Sequence, residues 1–338
     1  MKIGKQTYLI DKPVYIVGNF SIVGPKEGEG SFGKYFGLVL NNDLWGEKSF
    51  EKCEIKMHRE TILRAIYSSG LNENQIDAVM GGDLLNQIIA TNFAAKDIDS
   101  IYLGIYGACS TFGEALGLAS LLIATEQMKT ITCSTSSHFS SAERQYRFPL
   151  ELGNQRTPTA QWTVTGAGCS VLSAEPRAEQ PKVKITAVTF GKVTDYGIDD
   201  ENNMGAAMAP AAASTLIAHF KELDRSPAYY DAIWTGDLGK FGAGLLNYIM
   251  SSDNLPLSDT HHDAGAEYYR ANQHPVQGGS GAGCSSTVFN SYLIDKLRKR
   301  EIKRLLLCPT GALLSKDTPL QGATVPAIAH AVAIEAED

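Results

Sequence analysis

Positive charge, cysteine and long apolar runs are all scarce in this sequence, and each scarcity excludes a class of protein. The 338 residues carry 30 Lys and Arg against 37 Asp and Glu, which gives a formal net charge of −7. A chain with this charge has no general positive field that would attract a phosphate backbone. We therefore expect no nucleic-acid partner.

Basic residues cluster in one stretch, KLRKR at residues 296–300, with Lys303 and Arg304 after it. The pattern is typical of the exposed C-terminal end of a helix, where cations interact favourably with the helix dipole. A contact with a membrane surface or an acidic partner is the alternative interpretation.

Six cysteines are spread through the chain without short spacings, so the sequence predicts neither a disulfide framework nor a zinc site. No run of about 18 apolar residues is present, and the start MKIGKQTYLIDKP is too polar for a signal peptide. The segment GGSGAG at 278–283 lacks the Lys-Ser/Thr ending of a P-loop and the Rossmann spacing. We expect a soluble chain in a reducing compartment, without metal, cofactor or transmembrane segment, and compatible with peripheral attachment to a membrane complex.

What the sequence does contain is an internal repeat. The segment DAVMGGDL at 77–84 recurs as DAIWTGDL at 231–238. GACST, which holds Cys109, is matched by AGCSS, which holds Cys284. KTITCST, which holds Cys133, is matched by KRLLLCPT, which holds Cys308, and both cysteine pairs are 175 residues apart. Three matches in one order predict a duplicated chain, divided near the polar stretch 175–181 into domains 1–178 and 179–338.

Apolar runs of strand length alternate with helical segments in both halves. The pattern predicts strands at 76–80, 100–105, 130–135, 232–235 and 304–308, and helices at 84–95, 110–126, 243–250 and 285–297. Strands that alternate with helices predict parallel sheets with crossover helices, and hence an α/β fold. If the helices after Cys109 and Cys284 pack face to face between the sheets, the halves form a five-layer αβαβα sandwich.

The duplication, the cysteine ahead of a helix and the turn GGSGAGCSS resemble the thiolase-fold condensing enzymes. More narrowly, the ordered motifs GDLLNQ, GACST, TSSH, ERQYRFP, MGAAMAPAAA, TGDL, TGALLS and IAHAV resemble the stage V sporulation protein AD family of endospore-forming bacteria. The resemblance covers about residues 18 to 333. It implies a thiolase-like fold with two βαβαβαββ halves. It also implies binding of dipicolinic acid, pyridine-2,6-dicarboxylic acid, beside other stage V sporulation membrane proteins at the inner spore membrane surface.

Cys109 has two interpretations. At a helix N-terminus the dipole and free N–H groups lower the pKa of a thiol and make it nucleophilic. Most buried cysteines, however, are inert packing residues. In the condensing enzymes that the chain resembles, imidazole or amide groups from the second half converge on the cysteine. Here the matching places hold Asp237 and the turn Gly279-Ser280-Gly281, so the resemblance implies an incomplete condensing site.

Histidines elsewhere are weaker candidates for the missing base. His138 follows the strand that the resemblance places beside Cys109, and it is favoured over His274, which precedes the Gly-rich turn. The triplet His261-His262-Asp263 looks like a metal motif, but adjacent side chains point in different directions and no fourth ligand is evident. We predict that it forms a loop without metal.

Binding of a small planar dianion needs hydroxyls, backbone N–H groups and one or two cations around apolar walls. Arg144 and Arg147 in ERQYRFP either supply these cations or pair with acids at a surface or dimer interface. The other predicted ligand-binding residues lie near the two helix starts and include Cys109, Ser110, Thr111, Ser136, Ser137, His138, Asp237, Gly279, Ser280 and Gly281.

Two functions follow from these observations. The first is a non-catalytic dipicolinic acid-binding protein of the sporulation uptake machinery. The alternative is an acyl-transferring or condensing enzyme that uses Cys109 as its nucleophile. In either case we expect a homodimer of about 73 kDa. The strand Thr130–Thr135 would pair antiparallel with its copy, because it is predicted to be an apolar edge.

Overall fold

The computed structural model of the chain describes residues 1–146, 156–177 and 181–337. Each half runs strand, helix, strand, helix, strand, helix, strand, strand, with short elements added. The first half contains β1 (Thr7–Val23), α1 (Pro25–Gly28), β2 (Leu38–Val39), α2 (Phe50–Ser68), β3 (Ala78–Gly82), α3 (Ile89–Ala95), β4 (Ile101–Gly104), α4 (Thr111–Ala124), β5 (Thr130–Ser137), α5 (Phe139–Tyr146), β6 (Trp162–Thr163) and β7 (Gly166–Ser173). The second contains β8 (Val183–Thr189), α6 (Met204–Leu223), β9 (Ala232–Gly236), α7 (Gly239–Ser252), β10 (His261–Asp263), α8 (Ala264–Tyr268), β11 (Gly279–Ser280), α9 (Ala282–Val288), α10 (Ile294–Arg298), β12 (Arg304–Ala312), β13 (Ala327–Ala329) and β14 (Ala331–Ala336).

The strand order confirms the duplication. The first half is ordered β4-β3-β5-β7-β1 and the second β10-β9-β12-β14-β8, so equivalent strands occupy equivalent places. Cys133 lies in β5 and Cys308 in β12, the middle strand of each set. The last strand of each half, β7 and β14, is antiparallel to its neighbours. Antiparallel pairing of β1 with β8 joins the two sets, beginning at Thr7 opposite Thr189.

Two helices form the central layer between the sheets. α4 contacts β5, β3 and β1 of the first half and β12, β14 and β8 of the second, and α9 contacts strands of both halves. α2 and α3 cover the outer face of the first sheet, and α6 covers that of the second with α7 packed against it. The predicted five-layer sandwich is therefore confirmed. The packing is close: a Cβ on Gly168 of β7 would lie 2.4 Å from the carbonyl oxygen of Ser286 in α9.

Burial explains why α4 occupies the centre. Its 14 residues carry Phe112, Leu116, Ala119 and Ile123 at helical spacing, and all four are buried. The Phe112 ring packs 5.6 Å from that of Phe289, which follows α9. The outer helix α2 begins where the Ser49 Oγ accepts a hydrogen bond from the Lys52 amide.

Two expectations about strands are wrong. The segment Thr130–Thr135 is no sheet edge, because β5 pairs with β3 on one side and with β7 on the other. The terminal strand of the first half is β4. The segment His261–Asp263 is no loop, because it pairs parallel with β9 as β10.

The predicted domain boundary at residues 178 and 179 lies outside the described residues and remains a prediction. None of the helices in the described part of the chain is both long and apolar enough to cross a membrane.

Candidate functional site

The site forms where the two helices of the central layer begin. Cys109 lies in a tight turn between β4 and α4, preceded by Ala108 in the left-handed backbone region with φ of 51°. Asp237 follows β9, and Gly281 leads into α9 with φ of 111°. Each of these segments follows the carboxyl end of a strand, which is where sheets of this kind form their ligand sites. The fold therefore brings the three segments together. The first half supplies the thiol, and the second half supplies Asp237 and Gly281 beside it.

Burial dominates the electrostatics of Cys109. The residue is 5% exposed, and removal from water raises the pKa of its thiol well above the usual value. The Asp237 carboxyl raises this pKa further, against a smaller opposing effect of the Gly281 amide. Cys109 is therefore a neutral thiol at neutral pH, not the thiolate that a helix N-terminus alone would favour.

Asp237 is fully buried. Burial is the main reason why the pKa of its carboxyl lies well above the usual value, and the neighbouring Asp263 raises it further. The Cys284 thiol and the Gly281 amide are its polar neighbours. Neither carboxyl oxygen makes a hydrogen bond of normal geometry to any described residue. The carboxyl therefore keeps its proton to a higher pH than an exposed aspartate does, and in that form it can donate a hydrogen bond.

A pocket of about 600 Å³ opens to solvent above Cys109. Its wall combines two aromatic rings, apolar side chains, two hydroxyls and two carboxylates. The lining comprises Tyr106 and Tyr146, Leu84, Ala108, Ala142, Met204, Ala312 and Leu314, Thr163 and Ser280, and Glu143 and Glu201, with Cys109 itself. The described part of this lining contains no histidine, lysine or arginine.

Hydrogen bonds hold the pocket walls in place. The Tyr146 hydroxyl donates to the Leu84 carbonyl oxygen at 2.7 Å and lies 3.5 Å from the Tyr106 hydroxyl. Thr163 donates to Glu143 at 3.2 Å, and the Arg156 guanidinium lies 3.5 Å from the same carboxylate. The result is a preformed pocket with aromatic walls and an acidic side.

Most hydroxyls predicted to bind ligand are engaged with the protein itself. Ser110 donates to the Gly107 carbonyl and Thr111 to the Ala108 carbonyl, which closes the turn around Cys109. Ser137 donates to the Val164 carbonyl at 2.7 Å. None of the three lines the pocket.

Ser136 and His138 lie toward α2. Ser136 donates to Glu54 and contacts His58, and all three are buried. His138 Nδ1 accepts from the Ser140 amide, so Nε2 carries the proton and donates to the Asp43 carbonyl at 2.8 Å. His138 is thus bonded locally and does not line the pocket.

The remaining candidate residues are the two arginines, His274 and the residues from the second half of the chain. Arg144 is half exposed and pairs with Glu51 of α2, away from the pocket lining. Arg147 lies outside the described residues. His274 is exposed. The structure thus brings Cys109, Asp237, Ser280 and Gly281 together, with Gly279 next to them in β11.

The second-half triplet binds protein groups only. Asp263 accepts hydrogen bonds from the amides of Leu238, Gly239 and Ala266 and thereby fixes the start of α7. His262 lies 2.8 Å from Glu267. Within residues 1–146, 156–177 and 181–337, no group of three His, Cys, Asp or Glu side chains is placed to hold a metal ion.

Sequence reasoning missed most of the pocket wall, including its aromatic and acidic residues Tyr106, Glu143, Tyr146 and Glu201. Two of them had a usable signal. Glu143 and Tyr146 are three apart in the helical stretch ERQYRFP and share one face of α5, whereas Arg144 lies on another. The sequence prediction relied on the arginines of this stretch, and Arg144 lies on a face of α5 that does not line the pocket.

Comparisons with known proteins agree on family and fold. A family model described as Stage V sporulation protein AD (SpoVAD) matches residues 4–335. Stage V sporulation protein AD of Bacillus subtilis (strain 168) is 39% identical over 332 residues, covering 98% of this chain and 97% of that protein.

Among solved structures, 3-oxoacyl-[acyl-carrier-protein] synthase III from Aquifex aeolicus VF5 matches with a TM-score of 0.57 at 12% identity, over 95% of this chain and 99% of that one. The Ascaris suum Acat5 thiolase in complex with coenzyme A gives 0.58 at 12% identity, over 96% and 100%. Human mitochondrial 3-ketoacyl-CoA thiolase gives 0.57 at 12% identity, over 98% and 100%. These likenesses confirm the predicted thiolase-like fold and nothing finer.

Proposed function

The chain belongs to the stage V sporulation protein AD family, and from this premise we propose that it binds dipicolinic acid in the Cys109 pocket and does not condense it. Membership in the family and the thiolase-like fold were both predicted from the sequence and are confirmed. The proposal concerns the finer step, from family to ligand and chemistry.

The observation that carries the proposal is that the Cys109 thiol is buried beside the buried Asp237 carboxyl, which raises the pKa of the thiol. Carbon–carbon condensation on a cysteine needs an activated thiol and a base or proton donor that can cycle. Burial and Asp237 both act against ionisation of the thiol. The described pocket lining offers no imidazole to take its proton. A pocket of this kind favours binding over acyl transfer.

A planar pyridine ring suits the walls that Tyr106 and Tyr146 form. The Ser280 hydroxyl lines the pocket and can donate a hydrogen bond to one carboxylate. Arg156, beside the wall residue Glu143, adds positive charge near the pocket. Glu143 and Glu201 oppose a dianion, so we propose that they limit its affinity.

The alternative function keeps one observation in its favour. Ala108 holds a left-handed backbone conformation that is uncommon for a side chain with a Cβ, and it places Cys109 at the head of α4. Strain beside a nucleophile is a feature of catalytic turns. Intact-mass analysis after incubation with acyl-CoA separates the functions, since only an acyltransferase forms a covalent adduct at Cys109.

We further propose a homodimer and a place among other stage V sporulation membrane proteins at the inner spore membrane surface. The free edge of the first sheet is β4, where Ile101 is 54% exposed. Phe93 of α3 and Tyr106 beyond β4 are also largely exposed. Unpaired apolar edges of this kind favour pairing with a second copy.

The direct test of ligand identity is a comparison of dipicolinic acid with benzoate. A ligand that binds only the folded state raises the melting temperature by mass action. Dipicolinic acid should do so, and benzoate, which lacks the ring nitrogen and the second carboxylate, should do so far less. An equal response to both would contradict a specific pocket.

A further inference from the structure

A second cleft, of about 1010 Å³, lies outside the Cys109 pocket and is open and polar. It is formed by the C-terminal end of β1, the turn before β2 and the end of the helix that runs from α9 into α10. Its charged lining residues are Lys34, Asp295, Arg298 and Lys299, with Asn19 and Asn290 at its floor. Arg298 follows Ala282, at the start of α9, by 16 residues, which at 1.5 Å rise per residue is about 24 Å. The cleft is thus remote from the pocket.

Arg298 is the unusual residue of this cleft. Its Nε and Nη2 atoms are buried and have no hydrogen-bond partner among the described residues. Burial lowers the pKa of its guanidinium, the Asp295 carboxylate partly offsets this by raising it, and Arg177 lowers it by a smaller amount. The nearby carboxylate of Asp295 lies 2.8 Å from Lys299 instead. Buried guanidinium N–H groups without hydrogen-bond acceptors are costly, so the Nε and Nη2 atoms of Arg298 point to an anion that accepts from them.

The floor of the cleft is built from irregular helix. Residues Phe289–Leu293, between α9 and α10, form a π-helical turn, a feature often found at functional sites. The Asn290 carbonyl accepts from Asn19 Nδ2 at 2.7 Å. The Asn290 side chain accepts from Ser170 at 2.6 Å and donates to the Ser286 carbonyl at 2.9 Å. These bonds fix the floor, so the cleft is preformed.

We propose that this cleft binds a phosphate group. A guanidinium matches two phosphate oxygens at once, and Lys34 and Lys299 supply further charge from the two rims. Lys34 is exposed, and its described contact is with the ring of Tyr35 at 5.0 Å, so its ammonium is available to a ligand. Three cations facing one carboxylate contrast with the formal net charge of −7 for the whole chain.

The phosphate can come from a small phosphate ester or from the headgroup of an anionic phospholipid, because both present the same charged oxygens. The KLRKR stretch that the sequence singled out supplies Arg298 and Lys299 to the cleft. The site is independent of the proposed dipicolinic acid pocket and stands or falls separately.

The test is titration of the protein with inorganic phosphate at constant ionic strength, followed by thermal unfolding. The wild-type protein should show a saturable rise in melting temperature that chloride does not reproduce. Arg298→Gln should bind phosphate at least about tenfold more weakly, the loss expected for a charge-assisted hydrogen bond. Without phosphate this variant should unfold at the same or a higher temperature than wild type, since it removes a partly buried charge whose Nε and Nη2 atoms have no hydrogen-bond acceptor among the described residues.

Arg300→Gln is the matched control. Arg300 lies just beyond α10, is exposed and donates to the Glu337 carbonyl, outside the cleft. This variant removes the same charge and should keep phosphate affinity within about twofold. An equal loss in both variants, or no response of the wild type beyond that to chloride, would overturn the proposal. If Arg298→Gln does not fold, Lys34→Gln on the opposite rim replaces it and should weaken binding several-fold.

Vesicles distinguish the two sources. Binding to phosphatidylcholine vesicles that contain phosphatidylglycerol, lost in Arg298→Gln and competed by phosphate, would assign the cleft to a lipid headgroup. Phosphate binding without vesicle binding would assign it to a free phosphate ester. Vesicle binding that is unchanged in Arg298→Gln, with no phosphate response, would contradict the site.

Discussion

The carboxyl of Asp237 raises the pKa of the Cys109 thiol. Asp237 belongs to the second half of the chain and Cys109 to the first. At the place of Asp237, a condensing enzyme would have a group that activates the thiol. Both side chains are buried, and burial raises the pKa of both groups. We propose that this pair keeps the Cys109 thiol unreactive. Predictions about stability, ligand binding and assembly follow from this relationship and from the pocket around it.

Asp237→Asn should make the protein more stable at pH 8, by about 1–3 °C in melting temperature. The folded state raises the pKa of Asp237 above its unfolded value, so the folded state binds an extra proton and its stability falls as pH rises above about 4. Asn carries no such penalty and tolerates the φ of 73° at this position. Melting curves at pH 4 and pH 8 check this. A variant that is less stable than wild type at pH 8 would contradict a raised pKa of Asp237.

Substitutions of Cys109 test where the ligand binds. Cys109→Ser should fold normally and change dipicolinic acid affinity by less than about tenfold, because the backbone amides remain and a hydroxyl replaces a weak thiol donor. Cys109→Phe should fill the pocket base and abolish binding, as calorimetry would show. Unchanged binding in Cys109→Phe, with the fold intact by circular dichroism, would place the ligand elsewhere.

Glu201→Gln should bind dipicolinic acid more tightly, by about two- to fivefold at low salt. The side chain lines the pocket and is partly exposed, so removal of its charge reduces repulsion of a dianion in a solvent-screened setting. The gain should shrink at high ionic strength. Glu60→Gln, which removes a charge from α2 outside the pocket lining, is the control and should leave the affinity unchanged. Weaker binding in Glu201→Gln would mean that this carboxylate helps to hold the ligand.

Ile101→Lys should convert the proposed dimer into a monomer of 36.5 kDa by light scattering. A lysine on β4 places charge in the apolar edge that the two copies would share. Val193→Lys, at another exposed apolar residue outside β4, should leave the dimer intact. A wild-type protein that is monomeric at micromolar concentration, or a dimer that survives Ile101→Lys, would contradict pairing through β4.

The sequence predicted the centre of each half well, because there the physical signals are local. The repeated strands β3 and β9 are short apolar runs bounded by turns, and α4 is uniformly apolar and small. Strand β1 was missed because Asp11, Lys12 and Pro13 interrupt its apolar pattern. In the structure this interruption coincides with an irregularity in the β1–β8 register between Leu9 and Val14.

The site was harder to predict than the fold. That Cys109, Asp237 and Ser280 converge follows from the repeat, since both halves end their strands at one place. Which face of α5 meets the pocket depends on tertiary packing, and a shift of one residue exchanges Glu143 for Arg144. The hydrogen bonds of Ser136 with α2 and of His138 with Asp43 could not be predicted from the sequence for the same reason. These partners are about 80 to 95 residues away along the chain.

The most direct test of the central claim is a crystal structure of the protein with dipicolinic acid. We predict that the ring lies between Tyr106 and Tyr146, with one carboxylate at Ser280 and the Gly281 amide, and with the Cys109 sulfur unmodified. Dipicolinic acid bound at another place, or an acyl group on Cys109 in protein exposed to acyl-CoA, would contradict the claim that this pocket binds without chemistry.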